Sequence, residues 1–500
     1  MSVTVEASQN FTEKPSIKEV LKNRAFMTLF SAQFIENIGR AVSGLALEFF
    51  IYELTKSPLM MGILAFIWLA PFVFIAPFAG VYTDRLDQRK IMLASNIVSC
   101  IASIGFVVIY LLYSFGYLLT YTYVDGYYDS GLPITIVVVS VKHVIWPLMV
   151  LLFINSTAAA FFFPARSAYT RLIVEKKNLL VANSIGSTVF QIATIVGYVL
   201  AGVLAAKSYL GSFIFDASTF FVSGILIGMI FKVGKKPPKV EREKSENLRA
   251  EMKSIVKDMK IGYRTIREYP KISYMLVIFS ALTFAMGAIN VLFIVILQGE
   301  MHLGQLAYGL IQALMGATGI ITALILMAIG RLNRKIMIIN IAFLIVAGSM
   351  YAFAISRNIY VIASVLGIYG ILSVLINVPA STIIQETVPY EKQGRVFGTQ
   401  QLAQGIAQLI GMAIVSSIAE FVLPMYVLLG SSIILTFIMF IGFLFSFRKG
   451  LMNSDYSLEK SVDSEKEKPL SFNEIEENKE IKPLTTAAAS TTASLNINEK

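Results

Sequence analysis

Twelve long apolar runs constrain this chain more than any other feature. They lie near residues 26–52, 59–82, 91–113, 144–163, 183–206, 212–231, 272–298, 305–329, 336–355, 359–379, 397–420 and 425–447. A run of about 20–27 residues, at roughly 1.5 Å rise per helical residue, is long enough to cross the hydrocarbon core of a bilayer. The runs lack the two-residue alternation of a transmembrane barrel. The sequence therefore predicts an all-α membrane protein with 12 transmembrane helices.

Composition supports a membrane protein and argues against several other classes. Only 15% of the residues are charged, whereas soluble proteins have about 25%. The single cysteine, Cys100, rules out an intrachain disulfide or a cysteine metal site. The segment Gly228–Lys236 has one residue too many for a phosphate-binding loop and lacks the Ser or Thr that should follow the lysine. We therefore expect no metal, no cofactor and no enzymatic activity, and an ion gradient rather than ATP as the energy source.

The positive charges predict how the chain is oriented in the membrane. Of its 42 lysines and arginines, 37 fall in one set of alternating segments, which includes both termini. Only 4 fall in the other set, and Arg40 lies inside a run. Because basic residues concentrate on the cytoplasmic side, we expect a multi-pass plasma-membrane protein with both termini in the cytoplasm. This distribution also accounts for the net charge of +10 without nucleic acid binding.

The two halves of the chain repeat each other. Arg89-Lys-Ile-Met92 recurs as Arg334-Lys-Ile-Met337, between the second and third runs of each half. A second, weaker match between Pro164-Ala165 and Pro379-Ala380 has an offset that is 30 residues shorter. Such a duplication is a known transporter architecture, in which the substrate binds near the midplane between the halves. The predicted fold is two pseudo-symmetric six-helix halves.

The same reasoning divides the chain into segments. They are a cytoplasmic N-terminal segment (1–24), an N-terminal half (25–231), a cytoplasmic linker (232–270), a C-terminal half (271–447) and a disordered cytoplasmic tail (448–500). The difference in offset places an extracellular, tyrosine-rich insertion at about 114–143. Tyrosine favours the membrane interface, so the insertion either lies on the outer leaflet or forms a lid or partner-docking element. In the linker, Met252, Ile255 and Met259 share a helical face opposite lysines, which predicts an amphipathic helix attracted to anionic lipid.

A charged hairpin follows the second run, and its pattern is specific. Gly80, Asp84, Arg85, Arg89 and Lys90 resemble the signature loop between helices 2 and 3 of the major facilitator superfamily. Further motifs resemble the proton-coupled drug exporters of that superfamily, a group that includes macrolide-efflux and enterobactin-export proteins. These motifs are Phe163-Pro-Ala-Arg-Ser167, Ala182-Asn183, Asp216-Ala-Ser-Thr-Phe220, Glu268-Tyr-Pro270 and Gly394-Arg395-Val396. The resemblance covers about residues 20–447. It departs from the pattern at Gly330–Lys335, which lacks the Asp-Arg pair, and at Tyr198, which stands where proline is common.

The resemblance implies a cytoplasmic gate. Asp84 is expected to meet the N-terminus of the eleventh helix, where the helix dipole and free N–H groups favour an anion. Arg395 lies near that terminus as a second partner, and Gly80 is expected to let two helices approach closely. Arg85, Arg89 and Lys90 complete the gate. The alternative is a solvated basic loop that only fixes topology.

The first apolar run carries the most polar face. Gln33, Glu36, Asn37 and Arg40 advance by three or four residues and share one side of a helix. A charge near the bilayer centre costs about 3 kcal/mol or more, so it normally faces a cavity. We expect Glu36 to take a proton while Arg40 holds or releases substrate. The alternative is a mutually neutralised pair that only wets the cavity wall.

Asp216 is the third charged candidate, near the outer end of the sixth run. It is either an external proton or cation site or a structural residue. Amides in several runs are candidates to line the cavity, and the alternative is that they hydrogen-bond between helices. These amides are Gln33, Asn37, Asn155, Gln191, Asn290, Asn377, Gln401, Gln404 and Gln408.

The sequence thus predicts a secondary transporter that works by alternating access. The expected activity is export of a small amphipathic or hydrophobic compound in exchange for protons, by a monomer in a lipid bilayer. One alternative is a metabolite or siderophore exporter, or a solute importer, on the same fold. The other is a non-transporting membrane sensor, although a sensor needs neither the signature loop nor charges within the membrane.

Overall fold

The computed structural model describes residues 16–117, 120–127, 133–140, 142–236, 248–329 and 332–451. The first 15 residues and the tail beyond residue 451 lie outside this part of the chain, so the predicted disorder of the tail is not tested. Within the described helices, the side chains of Asp84 and Arg85 are also outside the description.

The N-terminal half consists of six long helical segments with short connections. A short helix, α1 (Ile17–Lys22), precedes them. The helices are α2 (Arg24–Thr55), α3 (Pro58–Phe74) continued by α4 (Ala76–Arg85), α5 (Gln88–Ser114), α6 (Lys142–Ile173), α7 (Leu179–Lys207) and α8 (Tyr209–Val233). The second run is divided at Ile75 because Pro71 and Pro77 flank that point and cannot donate backbone hydrogen bonds.

The C-terminal half repeats this arrangement after the linker helix α9 (Leu248–Glu268). Its helices are α10 (Pro270–Ile294), α11 (Gln305–Ile329), α12 (Lys335–Ile355), α13 (Ile359–Thr387), α14 (Tyr390–Ala419) and α15 (Pro424–Arg448). The single π-helical segment among the described residues, Val295–Glu300, extends α10. All twelve predicted runs are therefore helical, and the predicted all-α membrane fold is confirmed.

Eleven of these twelve are apolar enough to cross a membrane by length and composition. The twelfth, α2, falls short because Glu36, Arg40, Glu48 and Glu53 interrupt it. It is nevertheless 32 residues long and largely buried among the other helices. A helix that is both polar and buried lies in protein surroundings rather than in lipid.

The insertion has a structure that the sequence analysis did not anticipate. Two strands, β1 (Thr120–Tyr127) and β2 (Pro133–Ser140), pair antiparallel, with Thr120 opposite Ser140. Tyrosine, threonine, valine and isoleucine dominate both strands and favour extended backbone. The tyrosine-rich composition thus reflects a β-hairpin, whose placement on the outer leaflet stays a prediction.

The two ends of the bundle differ, and we name each by a residue. The Glu420 end holds the α2–α3 and α14–α15 connections. The Asp87 end holds the α4–α5 and α6–α7 connections and the linker helix. A large hydrophobic cluster gathers buried residues of both halves, including Phe49, Phe293 and Leu428, near the Glu420 end.

The halves meet through closely packed glycines near the Glu420 end. A Cβ at Gly202 in α7 would lie 3.0 Å from the backbone of Leu306 in α11, and one at Gly309 would lie 3.0 Å from Gly202. Gly62 in α3 similarly packs against Ser416 in α14. Because glycine has no side chain, these helices approach backbone to backbone. The two halves are therefore in firm contact at this end.

The linker helix α9 packs on the start of α14 at the Asp87 end. A Cβ at Gly262 would lie 2.5 Å from the carbonyl oxygen of Arg395. The Thr399 hydroxyl lies 3.4 Å from the carbonyl oxygen of Met259. Asp258 forms an ion pair with Arg395 at 2.9 Å. The predicted linker helix is present, and its docking face is defined by these contacts.

Candidate functional site

Charged and polar side chains inside the N-terminal half gather in one place, which we call the N-half cluster (Glu36, Arg40, Asn96, Asp216 and Ser223). The Arg40 guanidinium donates to Glu36 Oε1 at 2.5 Å, one helical turn apart on α2. Asn96 on α5 and Ser223 on α8 hydrogen-bond each other at 2.9 Å. Three helices of one half therefore build the cluster.

Glu36 points into the half rather than into open space. Glu36 is only 5% exposed to solvent. The Ser223 hydroxyl lies 3.3 Å and the Asn96 amide 3.5 Å from its second carboxylate oxygen. The expectation that Glu36 faces a cavity is wrong for this structure, because α5 and α8 cover it. Its oxygens are instead satisfied by neighbouring helices, as a buried charge requires.

Asp216 is fully buried, with 0% exposure, on the second turn of α8. Its Oδ2 accepts a hydrogen bond from the Ser103 hydroxyl at 2.7 Å, whereas Oδ1 has no hydrogen-bond partner among the described residues. A Cβ at Gly39 would lie 3.0 Å from Asp216 Oδ1 and 2.8 Å from Thr219 Cβ. In this structure α2 packs directly over the carboxylate. The choice between a proton or cation site and a structural residue stays a prediction.

Arg40 is the member of the cluster that reaches accessible space. Its side chain is 24% exposed, against 6% for that of Glu36. The guanidinium stacks over Phe220 at 5.5 Å and lies close enough to attract the Asp216 carboxylate. In the part of the chain that the structure describes, its Nε has no hydrogen-bond partner. Arg40 thus bonds one buried carboxylate, neighbours a second and retains an unused donor.

Two described side chains of the signature loop, Arg89 and Asp87, bind each other. Arg89 is buried and donates to both carboxylate oxygens of Asp87, at 3.1 and 2.9 Å, and stacks over Phe231 at 4.8 Å. Hydrogen bonds from the Arg89 side chain hold the pKa of Asp87 below its ordinary value. Asp87 also caps α5 by accepting from the Arg89 N–H at 3.0 Å. Lys90 is exposed.

Two expectations about the gate have different outcomes. The close approach predicted at Gly80 is wrong, since a Cβ there would meet no atom within 4 Å. Arg395 lies at the start of α14, as predicted, and its partner is Asp258 of the linker helix. The Asp84 and Arg85 side chains lie outside the described residues. A contact between Asp84 and α14 therefore stays a prediction.

The candidate amides divide into buried and accessible groups. Gln33 is 4% exposed and accepts from Arg166 at 3.0 Å, and Asn155 is 7% exposed and accepts from Ser99 at 3.2 Å. These two hydrogen-bond between helices, which is the alternative stated for the candidate amides, and they do not line a cavity in this structure. Asn37, Gln404 and Gln408 are half-buried, and Gln191, Asn290, Asn377 and Gln401 are exposed.

Exposed amides in the middle of a membrane helix need polar surroundings or a local partner. Asn290 and Asn377 each donate to a carbonyl oxygen of their own helix, at 3.0 and 2.8 Å. Their oxygens are left to accept from a ligand or from water. For these accessible amides the predicted role in lining a cavity stays open.

The sequence analysis missed a set of bonds that join the halves at the Glu420 end. The Ser57 hydroxyl donates to Glu420 at 2.7 Å, and the Gln298 amide donates to Glu53 at 3.0 Å. Deeper in the bundle, the Tyr308 hydroxyl donates to Glu48 at 3.2 Å. Each bond joins residues more than 240 positions apart, so no local pattern could reveal it.

The metal-binding potential of the site is limited. Within the described ranges, no three or more histidine, cysteine, aspartate or glutamate side chains come close enough to hold a metal ion. The cluster chemistry is that of carboxylates, a guanidinium and hydroxyl or amide partners. Such groups bind and pass protons or hold polar ligands.

Comparison with known families identifies the chain. The family model of the Major Facilitator Superfamily matches residues 29–412. The chain belongs to the major facilitator superfamily. It is a multi-pass membrane transporter of that fold, and the family consists of carriers rather than enzymes.

Curated relatives of this superfamily member are distant in sequence. The uncharacterized MFS-type transporter YfiS of Bacillus subtilis (strain 168) is 23% identical over 417 residues, covering 82% of this chain and 89% of the relative. Macrolide efflux protein A of Streptococcus pyogenes is 21% identical over 397 residues, covering 79% and 89%. The resemblance to macrolide-efflux proteins is thus confirmed at low identity.

Solved structures share the fold. A POT family transporter crystallised with 5-aminolevulinic acid has a TM-score of 0.63 at 12% identity, covering 85% of this chain and 96% of that one. A bacterial homologue of the iron transporter ferroportin, in an inward-facing state, has a TM-score of 0.61 at 14% identity, covering 84% and 98%. At these identities the likeness concerns the fold alone.

Proposed function

We propose that this superfamily member exports small amphipathic or hydrophobic compounds, macrolides among them, in exchange for protons. The observation that carries the proposal is the N-half cluster. It encloses two carboxylates, Glu36 and Asp216, together with the accessible guanidinium of Arg40. The macrolide-efflux relatives supply the substrate class, at 21% identity for the Streptococcus pyogenes protein.

The proton role follows from the chemistry of the cluster. The Asp216 carboxylate accepts a hydrogen bond from the Ser103 hydroxyl, and no cation among the described residues lies within ion-pairing distance of it. Ionisable groups held inside a membrane carrier in this way are typical proton sites. A proton that binds to either carboxylate removes a negative charge beside Arg40. The guanidinium, less strongly held by the carboxylates, can then bind a neutral or anionic substrate or repel a cationic substrate.

The contacts between the halves support alternating access. At the Glu420 end, hydrogen bonds and glycine crossings hold the halves together. In the orientation predicted from the basic residues, this is the extracellular end. The structure is then the state closed to the outside, and transport requires these contacts to break while contacts form at the Asp87 end.

The direct test is erythromycin efflux from cells that express the protein. Accumulation of labelled erythromycin should fall on expression and recover when a protonophore collapses the proton gradient. Cells that express Glu36→Gln should accumulate as much as cells without the protein. Unchanged accumulation, with the protein shown to be inserted in the membrane, would contradict the macrolide part of the proposal. An energised flux that survives the protonophore would contradict its proton part.

A further inference from the structure

A cavity of about 320 Å³ lies at the Asp87 end of the N-terminal half, and the proposed mechanism does not use it. It is bounded by α2, α6 and α7. The lining includes the aromatic rings of Phe30 and Phe163, the guanidinium of Arg166 and the small polar side chains of Thr170, Asn183 and Ser187. Pockets that combine apolar walls with a few convergent polar groups are typical binding sites for small molecules.

Among the described residues, Arg166 is the one charged side chain that lines this cavity. It belongs to the Phe163-Pro-Ala-Arg-Ser167 motif, which the sequence analysis placed after the fourth run. The helix α6 instead continues to Ile173, so Arg166 lies inside it and beside α7. A cation in this position is enclosed by protein on several sides, unlike the exposed Arg171 on the last turn of the same helix.

The guanidinium of Arg166 has unused donors. It donates one hydrogen bond, at 3.0 Å, to the neutral amide oxygen of Gln33. Within the described part of the chain, no carboxylate lies within ion-pairing distance of it. A guanidinium has five N–H donors in a fixed plane that matches carboxylate and phosphate groups. The side chain is thus equipped for an anion that the protein itself does not provide.

The surroundings hold the guanidinium in place. It stacks over the Phe163 ring, at 5.2 Å from the ring centroid. The bond to Gln33 ties it to α2, three residues before Glu36. A donor group that is fixed before a ligand arrives loses less conformational freedom on binding. The exposed ring of Phe190 and the Ser187 hydroxyl lie on the α7 wall, where the rest of a ligand would contact the protein.

We infer that this cavity binds an organic anion, with a carboxylate, phosphate or sulfonate on Arg166 and an apolar ring or chain against the phenylalanines. Two sources have this chemistry: an exported amphipathic anion and the headgroup of an anionic lipid. The description of the anion as a substrate rests on the proposed export function. The existence of the anion site does not.

Binding to the purified full-length protein tests the site without any transport. Three probes of similar shape are compared by calorimetry in phosphatidylcholine nanodiscs: 2-naphthoate, 2-naphthamide and 2-naphthylmethylammonium. The anion should bind about 10- to 100-fold more tightly than the neutral probe, as expected for hydrogen bonds to a charged group. Arg166→Gln should remove this preference, whereas the matched variant Arg171→Gln should keep it.

Two further variants and a second lipid composition distinguish the possible explanations of a change in 2-naphthoate binding. Arg166→Lys retains the charge and should keep part of the preference for the anion. If Arg166→Gln fails to fold, Ser187→Leu places a bulky group in the cavity and should exclude 2-naphthoate while leaving Arg166 intact. Nanodiscs that contain phosphatidylglycerol identify the source: loss of 2-naphthoate binding there assigns the site to a lipid headgroup, and unchanged binding assigns it to a soluble anion.

Clear outcomes overturn the inference. Equal affinity for all three naphthyl probes would show that the cavity does not select charge. An anion preference that persists in Arg166→Gln would show that another group provides it. Because the measurement needs no gradient and no erythromycin, its failure leaves the export proposal standing, and failure of the efflux assay leaves the anion site standing.

Discussion

Replacing Gly39 by alanine should damage both the stability and the activity of the N-terminal half. The new Cβ would lie 2.8 Å from Thr219 Cβ and 3.0 Å from Asp216 Oδ1, and still closer to the Thr219 hydroxyl. These neighbours belong to α8 and are themselves buried. The helices α2 and α8 must therefore move apart where the N-half cluster is assembled.

The size of the effect follows from two opposing contributions. Overpacking of a buried position typically costs about 1–3 kcal/mol. Alanine in place of glycine inside a helix contributes about 1 kcal/mol in the opposite direction. Because the contacts of a Cβ at Gly39 are as short as 2.8 Å, the overpacking cost lies in the upper part of that range, about 2–3 kcal/mol. The net loss expected for Gly39→Ala is therefore about 1–2 kcal/mol. For a half of about 200 residues this corresponds to a fall in melting temperature of roughly 2–8 °C.

Gly44 provides a matched control on the same helix. A Cβ at Gly44 would meet no atom within 4 Å. Gly44→Ala should therefore keep or raise the melting temperature, because only the helix-propensity gain remains. Both variants are measured by thermal unfolding of the purified protein, followed by erythromycin transport at a temperature at which each is folded. Equal melting temperatures and equal transport for the two variants would refute the close packing of α2 on α8.

Three other predictions test contacts elsewhere in the bundle. The first is a pair of cysteines, Ser57→Cys and Glu420→Cys, in a background without the native cysteine. Because the native side chains touch at 2.7 Å, the pair should form a disulfide on oxidation and stop transport until it is reduced. Transport that continues after complete cross-linking would contradict the opening of the Glu420 end during transport. Gly262→Ala should loosen the linker helix and speed its cleavage by protease, because the new Cβ would lie 2.5 Å from a backbone oxygen. The control Gly394→Ala should not change the cleavage rate, because its Cβ would meet no atom within 4 Å. Equal cleavage rates for the two variants would argue against the docking of α9 on α14. Hydrogen bonds from Arg89 lower the pKa of Asp87 in the folded state, so its stabilising contribution is complete above an unfolded pKa of about 3.9 and is lost as the pH falls through the lower folded value. Asp87→Asn should therefore lower the melting temperature at pH 7, and this difference from the wild type should shrink as the pH falls below about 3.9. A difference that grows with acidity would show the opposite sign.

The architecture was predictable because hydrophobic length alone determines most of it. Backbone groups in lipid must be satisfied internally, so a long apolar run has few options besides a helix. Helix ends were less predictable. The α6 helix extends to Ile173, ten residues beyond the predicted end at 163, because Pro164 is accommodated within it. The hairpin was also missed, since its strands lie in a segment that was interpreted by interface preference alone.

The site was predictable in its residues but not in its geometry. The spacing on α2 correctly paired Glu36 with Arg40, since an i to i+4 separation places both on one face. The direction in which that face points depends on α5 and α8, which supply Asn96 and Ser223. Partners from distant parts of the sequence leave no local pattern. The same reason explains why the bond between Tyr308 and Glu48 was not anticipated.

Gly80 illustrates a different limit. A glycine in a signature loop predicts a close approach only if another helix lies against its bare side, and a Cβ at Gly80 would meet no atom within 4 Å in this structure. The glycines that do mediate close contacts, such as Gly202 and Gly309, lie in apolar runs that contain other glycines. Their importance emerges only from the pairing of α7 with α11.

The most direct test of the account is proton-driven transport in proteoliposomes, beside an exchange assay that needs no gradient. With an acidic interior, the wild-type protein should accumulate labelled erythromycin against its gradient and alkalinise the interior. The double variant Glu36→Gln and Asp216→Asn should lose this driven uptake and the pH change, yet still exchange labelled for unlabelled erythromycin. Driven uptake that persists in the double variant would contradict the assignment of proton coupling to the N-half cluster.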